Sequence, residues 1–454
     1  IAVHQLFGAG FATPPSTPED LADWLGRASK DRLSRIIQLA DHELKKSWSR
    51  SELQAVVVRQ QLLNTQNLLA LEPFLALRRT DELQYLLFLF FGRFEQNLQA
   101  FTLRDLGVMS TGGLKTEYQA RYQDAATANS AFFYAQVQAT WRSHAPKKGE
   151  TRTLAELESW QQQLSTWPDP LDDRTAQKQE QLLYEFGLAA QRAGDVLLAL
   201  QFYQASGGFA ASERLVRLYH QRNEHELLQM QLHRMLENPS CDDELWFARD
   251  FLARLGKERK VTDLTLLLQQ ASVLTLDELY LGQTEQGAVQ FYQSQGCLAW
   301  HVENELWLSL FGLMFWQELF ESEQSAIFNE FERRPRDLTS PDFYKKHGPA
   351  LEAKLAQLAS SPEQSLRFLL QNFSRYYGTI NSIFRWHQDI TSWLTPLING
   401  VPPAALIGVL RRMAQDFRHH ASGYHDLMVV DGGLVRFIEL KAPGDSLRRH
   451  HLTR

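Results

Sequence analysis

At 454 residues the chain is longer than a single hydrophobic core organises, so two to four domains are expected. A net charge of −6 excludes a broadly basic nucleic-acid binder, and any contact with nucleic acid must be a local patch. Only Cys241 and Cys297 occur, far apart, which argues against a disulfide scaffold or a thiolate zinc site and points to a reducing compartment.

The longest apolar runs, residues 86–91 and 306–316, are too short to span a bilayer, so a soluble intracellular protein is expected. No signal peptide is visible. Ile1 stands where an initiator methionine is expected, so the start reads as trimmed.

Residues 1–150 read as helical. Leu, Trp and Val fall at helical spacing across residues 41–63. Thr80 with Asp81 and Glu82 makes a capped, acidic first turn, and it leads into Leu86-Leu-Phe-Leu-Phe-Phe91, predicting a buried helix. A second helix is predicted from Phe94 and stops at Gly107. Arg78, Arg79 and Arg93 are candidate backbone contacts to nucleic acid, or else solvated surface charges. Pro146-Lys-Lys-Gly-Glu-Thr-Arg152 reads as a linker, and Trp167-Pro-Asp-Pro170 marks a second break.

Residues 175–280 read as a helical repeat. A helix over 183–191, a turn at Gly194-Asp195 and a helix over 196–203 form one helix-turn-helix unit. Residues 211–221 and 224–237 form another. The spacing is near the tetratricopeptide period, and such units stack into a concave scaffold.

In residues 296–320, Leu306, Leu310, Leu313 and Met314 fall at helical spacing, with Trp307 and Phe311 widening the apolar face. This predicts a strongly buried helix with Glu303 and Glu305 at its start. Acids belong in a first turn because the helix dipole favours them, and either could instead serve a metal. Residues 321–420 read as helical. Arg333, Arg334, Arg336, Lys345 and Lys346 are surface charges singly and a plausible phosphate-facing patch together. A helix over 404–419 carries Arg411, Arg412 and Arg418. From residue 401 onward eight lysines and arginines face five acids, the sign expected around a phosphodiester.

Two short aliphatic runs, residues 423–430 and 434–441, flank Asp431-Gly432-Gly433 and predict a β-hairpin. Asp426 opens the first run. Glu439 and Lys441 lie two apart in the second and so share one face. Hard divalent cations want oxygen ligands, and a hydrolytic site wants a cation. The bland alternative is a turn-forming Asp and a solvated cross-strand ion pair. Against it, the runs are apolar on both faces, where an unpaired charge is costly. His419, His420, His425, His450 and His451 raise a zinc alternative, but no His-x-x-x-His pair with a helix-borne glutamate accompanies them.

Ile438-Glu-Leu-Lys-Ala-Pro-Gly-Asp445, preceded by Asp416-Phe-Arg-His419 and Ser422-Gly-Tyr-His-Asp-Leu427, resembles the VRR-type nuclease domain of the Fanconi-associated nuclease family. The resemblance runs from about residue 288 to the end. It implies an α+β fold, predominantly α-helical, with a restriction-endonuclease-like nuclease core and a bacterial member of the family. The implied domains are a SAP-like DNA-binding region at 1–150, TPR-like repeats at 151–285, and a nuclease domain at 286–454 with a helical insertion at 321–420. The implied site has Glu303, Asp426 and Glu439, with the Leu440 carbonyl, holding one or two Mg²⁺ or Mn²⁺ ions. Lys441 orients or activates water. The stretch His301-x-Glu303 matches the family pattern better than Glu305 does. The implied substrate is branched or 5′-flap DNA, cut in interstrand-crosslink repair with 5′ to 3′ exonuclease action by a monomer, in a bacterial cytoplasm or a nucleus.

His425 replaces the usual proline, and Ala442 the usual glycine. The acids before Trp246-Phe247 speak against the 5′-phosphate pocket of eukaryotic relatives. Arg448-Arg-His-His451 stands where the family has a glutamine or lysine, and the chain stops at Arg454 before a further helix and strand. That leaves two other readings open. One is a non-catalytic DNA- or protein-binding adaptor with a degenerate nuclease domain. The other is a Holliday-junction-type resolvase, which would need a symmetric dimer.

Overall fold

The computed structural model describes residues 12–13, 17–45, 47–64, 68, 76–77, 80–94, 99–111, 118–147, 149–256, 261, 263–442 and 445. Arg78, Arg79, Pro443, Gly444 and residues 446–454 lie outside them. The chain divides into two compact units, Ile1–Met109 and Ser110–Arg454.

In the first unit, strand β1 (Ala12–Thr13) pairs with β2 (Ala76–Leu77). Helices α1 (Pro18–Arg27), α2 (Lys30–Leu39) and α3 (Arg50–Arg59) bury Trp24, Leu33, Ile36, Ile37, Leu53 and Val57 together. Each start is chemically specified: Thr17 with Asp20 and Ser49 with Glu52 form capping boxes, and Ser29 caps α2. The single helix expected over 41–63 is therefore confined to α3. Asp41 takes a positive φ of 53°, which halts helical propagation, and Ser49 starts a new helix. Helices α4 (Thr80–Phe91) and α5 (Gln99–Asp105) follow, the latter ending before Gly107 at φ 68°.

The second unit begins with α6 (Ala125–Ser143), α7 (Leu154–Gln163), α8 (Asp173–Arg192) and α9 (Val196–Ser206). After them come α10 (Phe209–Gln221), α11 (His225–Glu237), α12 (Asp242–Leu255) and α13 (Asp263–Gln270). From α7 to α12 successive helices pack pairwise. Helix α6 shares this core: Trp141 lies 4.4 Å from the Phe186 ring, and the Tyr134 hydroxyl donates to the Pro168 carbonyl at 2.6 Å. The compact units thus divide near residue 110, not at 150, because aromatic burial joins α6 to the repeat across the polar linker.

The sheet follows α14 (Thr284–Ser294). Strand β3 (Leu298–His301) lies antiparallel to β4 (Leu427–Asp431), which lies antiparallel to β5 (Leu434–Ile438). Alternation sends Ala299, Leu427, Val429 and Ile438 to one face, against Ala288, Val289 and Tyr292 of α14. Trp300, Met428, Val435 and Phe437 take the other face, against the helices inserted between β3 and β4. Those helices begin directly after β3, with the expected buried helix as α15 (Glu303–Met314) and a π-helical turn at Gln317–Glu321. Next come α16 (Asp342–Ser360), α17 (Pro362–Tyr376), α18 (Asp389–Gly400), α19 (Pro403–Gln415) and α20 (Phe417–His420). Trp316 is fully buried among them, stacked on Tyr376 at 4.7 Å.

The β4–β5 turn needs Gly432 and Gly433, whose φ values are 57° and 90°. Helix α15 approaches its neighbours closely because Gly312 has no side chain: a Cβ there would lie 2.4 Å from the Phe384 ring, which is 5% exposed. Gly312→Ala should therefore destabilise this unit by about 1–3 kcal/mol, the usual cost of overpacking a filled core. Gly408→Ala in α19, with nothing within 4 Å of the new methyl, should stabilise by about 0.5–1 kcal/mol. Thermal melts of the two variants beside wild type decide the signs.

Candidate active site

The site is built on one residue where three segments meet. The Asp426 carbonyl accepts from both the Val302 N–H at 2.9 Å and the Glu303 N–H at 3.1 Å. Its carboxylate Oδ2 accepts from the Leu440 N–H at 2.7 Å. Asn304 Oδ1 accepts from the Tyr424 N–H at 3.1 Å, and Tyr424 stacks on Trp307 at 5.3 Å. Residues 302–304 are thus stitched to 424–426, although the whole helical insertion lies between them in sequence.

This geometry changes the expected hairpin in one respect. Asp426 precedes β4 rather than opening it, and the ladder with β5 ends at Ile438. Beyond that point the Leu440 N–H turns to a side-chain carboxylate instead of a strand carbonyl. The backbone of 439–441 leaves the ladder there, yet Lys441 Nζ still donates to Glu439 Oε1. Both side chains are mostly buried.

Glu303 enters α15 with φ at 43°. A non-glycine residue held there carries backbone strain of order 1–3 kcal/mol. The two N–H bonds to Asp426 hold this conformation in place. Glu305 is engaged elsewhere: its carboxylate accepts from the Arg385 Nε at 3.2 Å and the Arg385 backbone N–H at 3.3 Å.

The electrostatics follow from burial and from an excess of carboxylates. Burial raises the Asp426 pKa above the usual range, and Glu439 and Glu285 push it the same way, against the Leu440 hydrogen bond and Lys441. Burial holds His425 below its usual value, against the pull of Glu439 and Asp426. Its ring lies 6.3 Å from that of Phe437. Sequence patterning does not single out Glu285. It stands one turn before Ala288 and Val289, on the α14 face that covers Leu427 and Leu440. An acid one helical turn ahead of an apolar stripe is a weak signal that only packing makes meaningful.

The donor set is entirely hard oxygen, and its carboxylates outnumber Lys441, which suits a divalent cation. Among the described residues, however, no three His, Cys, Asp or Glu side chains converge closely enough to form a metal cage. Asp426 is engaged by Leu440, and Glu439 by Lys441. Glu303 is joined to them through its backbone.

The expected phosphate contacts divide by position. Arg411 is committed to Glu352, donating from Nε at 2.7 Å and from Nη2 at 2.6 Å. Arg412 faces Asp242 at 3.5 Å. Lys345 pairs with Asp342 at 3.1 Å, and Lys346 with Asp337 at 2.5 Å. Arg333 and Arg334 are exposed. Arg418 lines a cleft of about 430 Å³ with Glu180, Gly208, Asp416 and His419. A second cleft, of about 390 Å³, holds Arg336, Lys345 and Lys346. The two clefts share a wall at Thr339 and Ser340. Of the acids before Trp246, Glu244 is structural: it is fully buried and accepts from Arg234 at 2.7 Å and from the Ser240 N–H at 2.6 Å.

Residues 360–450 match the VRR-NUC domain family. Fanconi-associated nuclease 1 of Ailuropoda melanoleuca is 30% identical over 189 residues, which are 40% of this chain and 18% of that protein. The Fanconi-associated nuclease 1 homolog of Pseudomonas aeruginosa is 26% identical over 468 residues, covering 99% of this chain and 80% of that protein. The crystal structure of paFAN1 bound to 2nt 5′flap DNA with gap has the same fold, with a TM-score of 0.72 at 22% identity. That match covers 99% of this chain and 82% of that one.

Two outcomes follow from the geometry. Glu303→Gly relieves the strained φ, so it should hold or raise the melting temperature while removing the carboxylate from the site. A fall in melting temperature would show that the side chain is structural. Arg411 and Tyr344 hold the Glu352 carboxyl down to about 2 from an ordinary 4.5, by direct hydrogen bonds from Arg411 first. A depressed folded-state pKa stabilises above about pH 4.5, and that stability is lost as pH falls through about 2. Arg411→Met should therefore lower the melting temperature at pH 6, and the difference from wild type should close between those two pH values. The pair is partly solvated, so its effect stays within about 1 kcal/mol.

Proposed function

We propose that this chain, a relative of the Fanconi-associated nucleases with a VRR-NUC domain, hydrolyses phosphodiester bonds of branched or 5′-flap DNA, in interstrand-crosslink repair. The observation that carries the reading is the meeting of Asp426, Glu439 and Lys441 at the open end of the β4–β5 hairpin, with Glu303 stitched to Asp426. Two carboxylates and an ammonium set there, on a chain similar to nucleases over its length, suit in-line attack of water on phosphorus.

Each side chain has a role its surroundings support. Asp426, Glu439 and Glu303, with the Leu440 carbonyl, would hold one or two Mg²⁺ or Mn²⁺ ions. A bound ion supplies charge neutralisation at the phosphate and lowers the pKa of water. Asp426 is prevented from rotating by the Leu440 N–H. Lys441, held beside Glu439, can pass a hydrogen bond from that carboxylate to a phosphate oxygen or the attacking water. Burial disfavours a positive charge on His425 beside these carboxylates. The inserted helices bring β3 and Glu303 back to β4 and present Arg418 beside the repeat.

The test is cleavage of a 5′-flap duplex, a blunt duplex and a single strand with Mg²⁺, Mn²⁺ or EDTA. Wild type is compared with Asp426→Ala and Lys441→Ala. Metal-dependent cutting that favours the flap, reduced at least about 100-fold in both variants with DNA binding retained, is the expected result. Binding without cutting, also in a version extended past Arg454, would move the case to a non-catalytic adaptor. A symmetric dimer in solution that cuts four-way junctions would move it to a resolvase.

A further inference from the structure

Helix α12 begins with three acids, Asp242, Asp243 and Glu244. Acids in a first turn are ordinary, because the helix dipole favours them. The Asp242 carboxylate nevertheless reaches across to the two helices just ahead of the β4–β5 hairpin. Its Oδ2 lies 3.5 Å from His420 Nε2 and 3.5 Å from Arg412 Nη1. On the other side of the same ring, Asp416 Oδ2 lies 3.9 Å from His420 Nδ1. His420 is buried, so its imidazole stands between two carboxylates with little water to screen them. Glu244 fixes the start of α12 by accepting from Arg234 and the Ser240 N–H, which holds Asp242 in place.

The far end of this contact is the hydrolytic site. The His420 carbonyl accepts from the Tyr424 O–H at 2.9 Å. Tyr424 is the residue that Asn304 and Trp307 hold, and Asp426 follows two positions on. A line of contacts thus runs from the repeat through His420 to Asp426 and the start of α15.

We propose that Asp242 and His420 are a positioning pair for the hydrolytic residues: the repeat steadies segment 420–426 through a protonated imidazole, so that cutting depends on the repeat and on pH. The inference rests on the reading of the chain as a nuclease, and it gives the repeat a part in ordering the site.

The charges around His420 decide the sign. From α12 come Asp242 and, beside it, Asp243; from α19 and the turn after it, Arg412 and Asp416; from its own helix, Arg418 and His419. The 336–339 turn, which packs on α20, adds Arg336 and Asp337, the latter paired with Lys346 at 2.5 Å. Arg412 shares Asp242, and His419 shares Asp416 at 2.8 Å. These two cations reach the His420 ring through the acids, whereas the acids face its nitrogens directly. Asp416 shows the pull: burial raises its pKa, but the hydrogen bonds and charge of His419 and the charge of His420 bring it below the usual carboxylate range. The charged ring is the form that both carboxylates attract. Its contribution is therefore complete below about pH 6.5, where free histidine protonates, and is lost as pH rises above that.

The test follows single-turnover cutting of a labelled 5′-flap duplex by the full chain with Mg²⁺, at about pH 6 and about pH 8.5. Rates are read as the ratio of variant to wild type at each pH, so the general dependence of hydrolysis on hydroxide cancels. Asp242→Asn and His420→Gln should each cut about five-fold more slowly than wild type at the lower pH and close to wild type at the higher, with the half-saturating duplex concentration unchanged. The double variant should be no slower than either single one, and Asp242→Glu should recover most of the rate. Asp389→Asn removes an exposed acid that lies 3.8 Å from His387 and should follow wild type at both. A second readout needs no metal: in EDTA, amide exchange across residues 418–427 should be faster in Asp242→Asn than in wild type at the lower pH only.

A loss of rate equal at both pH values makes Asp242 a plain strut and overturns the proposal. An unchanged rate at both, or an equal loss in Asp389→Asn, overturns it as well. If no metal supports cutting by wild type, the hydrolytic reading fails and exchange decides the pair: faster exchange at the lower pH upholds it, and unchanged exchange overturns it.

Discussion

Everything at the candidate site depends on how Asp426 uses its hydrogen-bonding groups. Its carbonyl takes two N–H groups from the start of α15, and its carboxylate takes one from beyond β5. One residue thereby closes the end of the sheet where neither ladder reaches. The donors it satisfies sit in a mostly buried setting, where leaving each unmade would cost about 1–3 kcal/mol. The strained φ of Glu303 and the departure of residues 439–441 from the ladder are both consequences of that closure.

The helical bulk of the second unit serves the same closure at longer range. Strands β3 and β4 are neighbours in the sheet while the entire insertion lies between them in sequence. The insertion must fold into a rigid body for that pairing to hold. It does so around Trp316, Phe311, Phe320 and Phe343, all fully buried, with Gly312 allowing the Phe384 ring to approach α15. Ion pairs add direction rather than bulk: Lys354 with Glu318 at 2.7 Å ties α16 to the π-helical turn, and Arg411 with Glu352 ties α19 to α16.

Charge is distributed with the same division of labour. A chain of net charge −6 holds several of its arginines and lysines in ion pairs around the second unit's helices. Arg411 reads in the sequence as a phosphate contact and in the structure as a strut to Glu352.

Local chemistry made much of this legible in advance. Asp431-Gly432-Gly433 with its flanking aliphatics specified the hairpin, because two successive positive φ values leave few other choices. The nearness of Glu439 and Lys441 follows from their spacing of two, although the backbone of 439–441 leaves the ladder. The repeat helices and α15 followed from apolar spacing. What the sequence could not decide is which distant segments meet. Strand β3 is four residues long and gains its identity from pairing with β4, so Leu298-Ala-Trp-His301 was invisible beside the helix that follows it. The place of α6 in the repeat, the approach of Glu285 and the partner of each arginine are likewise set by contacts between elements far apart in the chain. Periodicity and turn chemistry act within a few residues. Burial and charge pairing act between surfaces that exist only once the chain has folded.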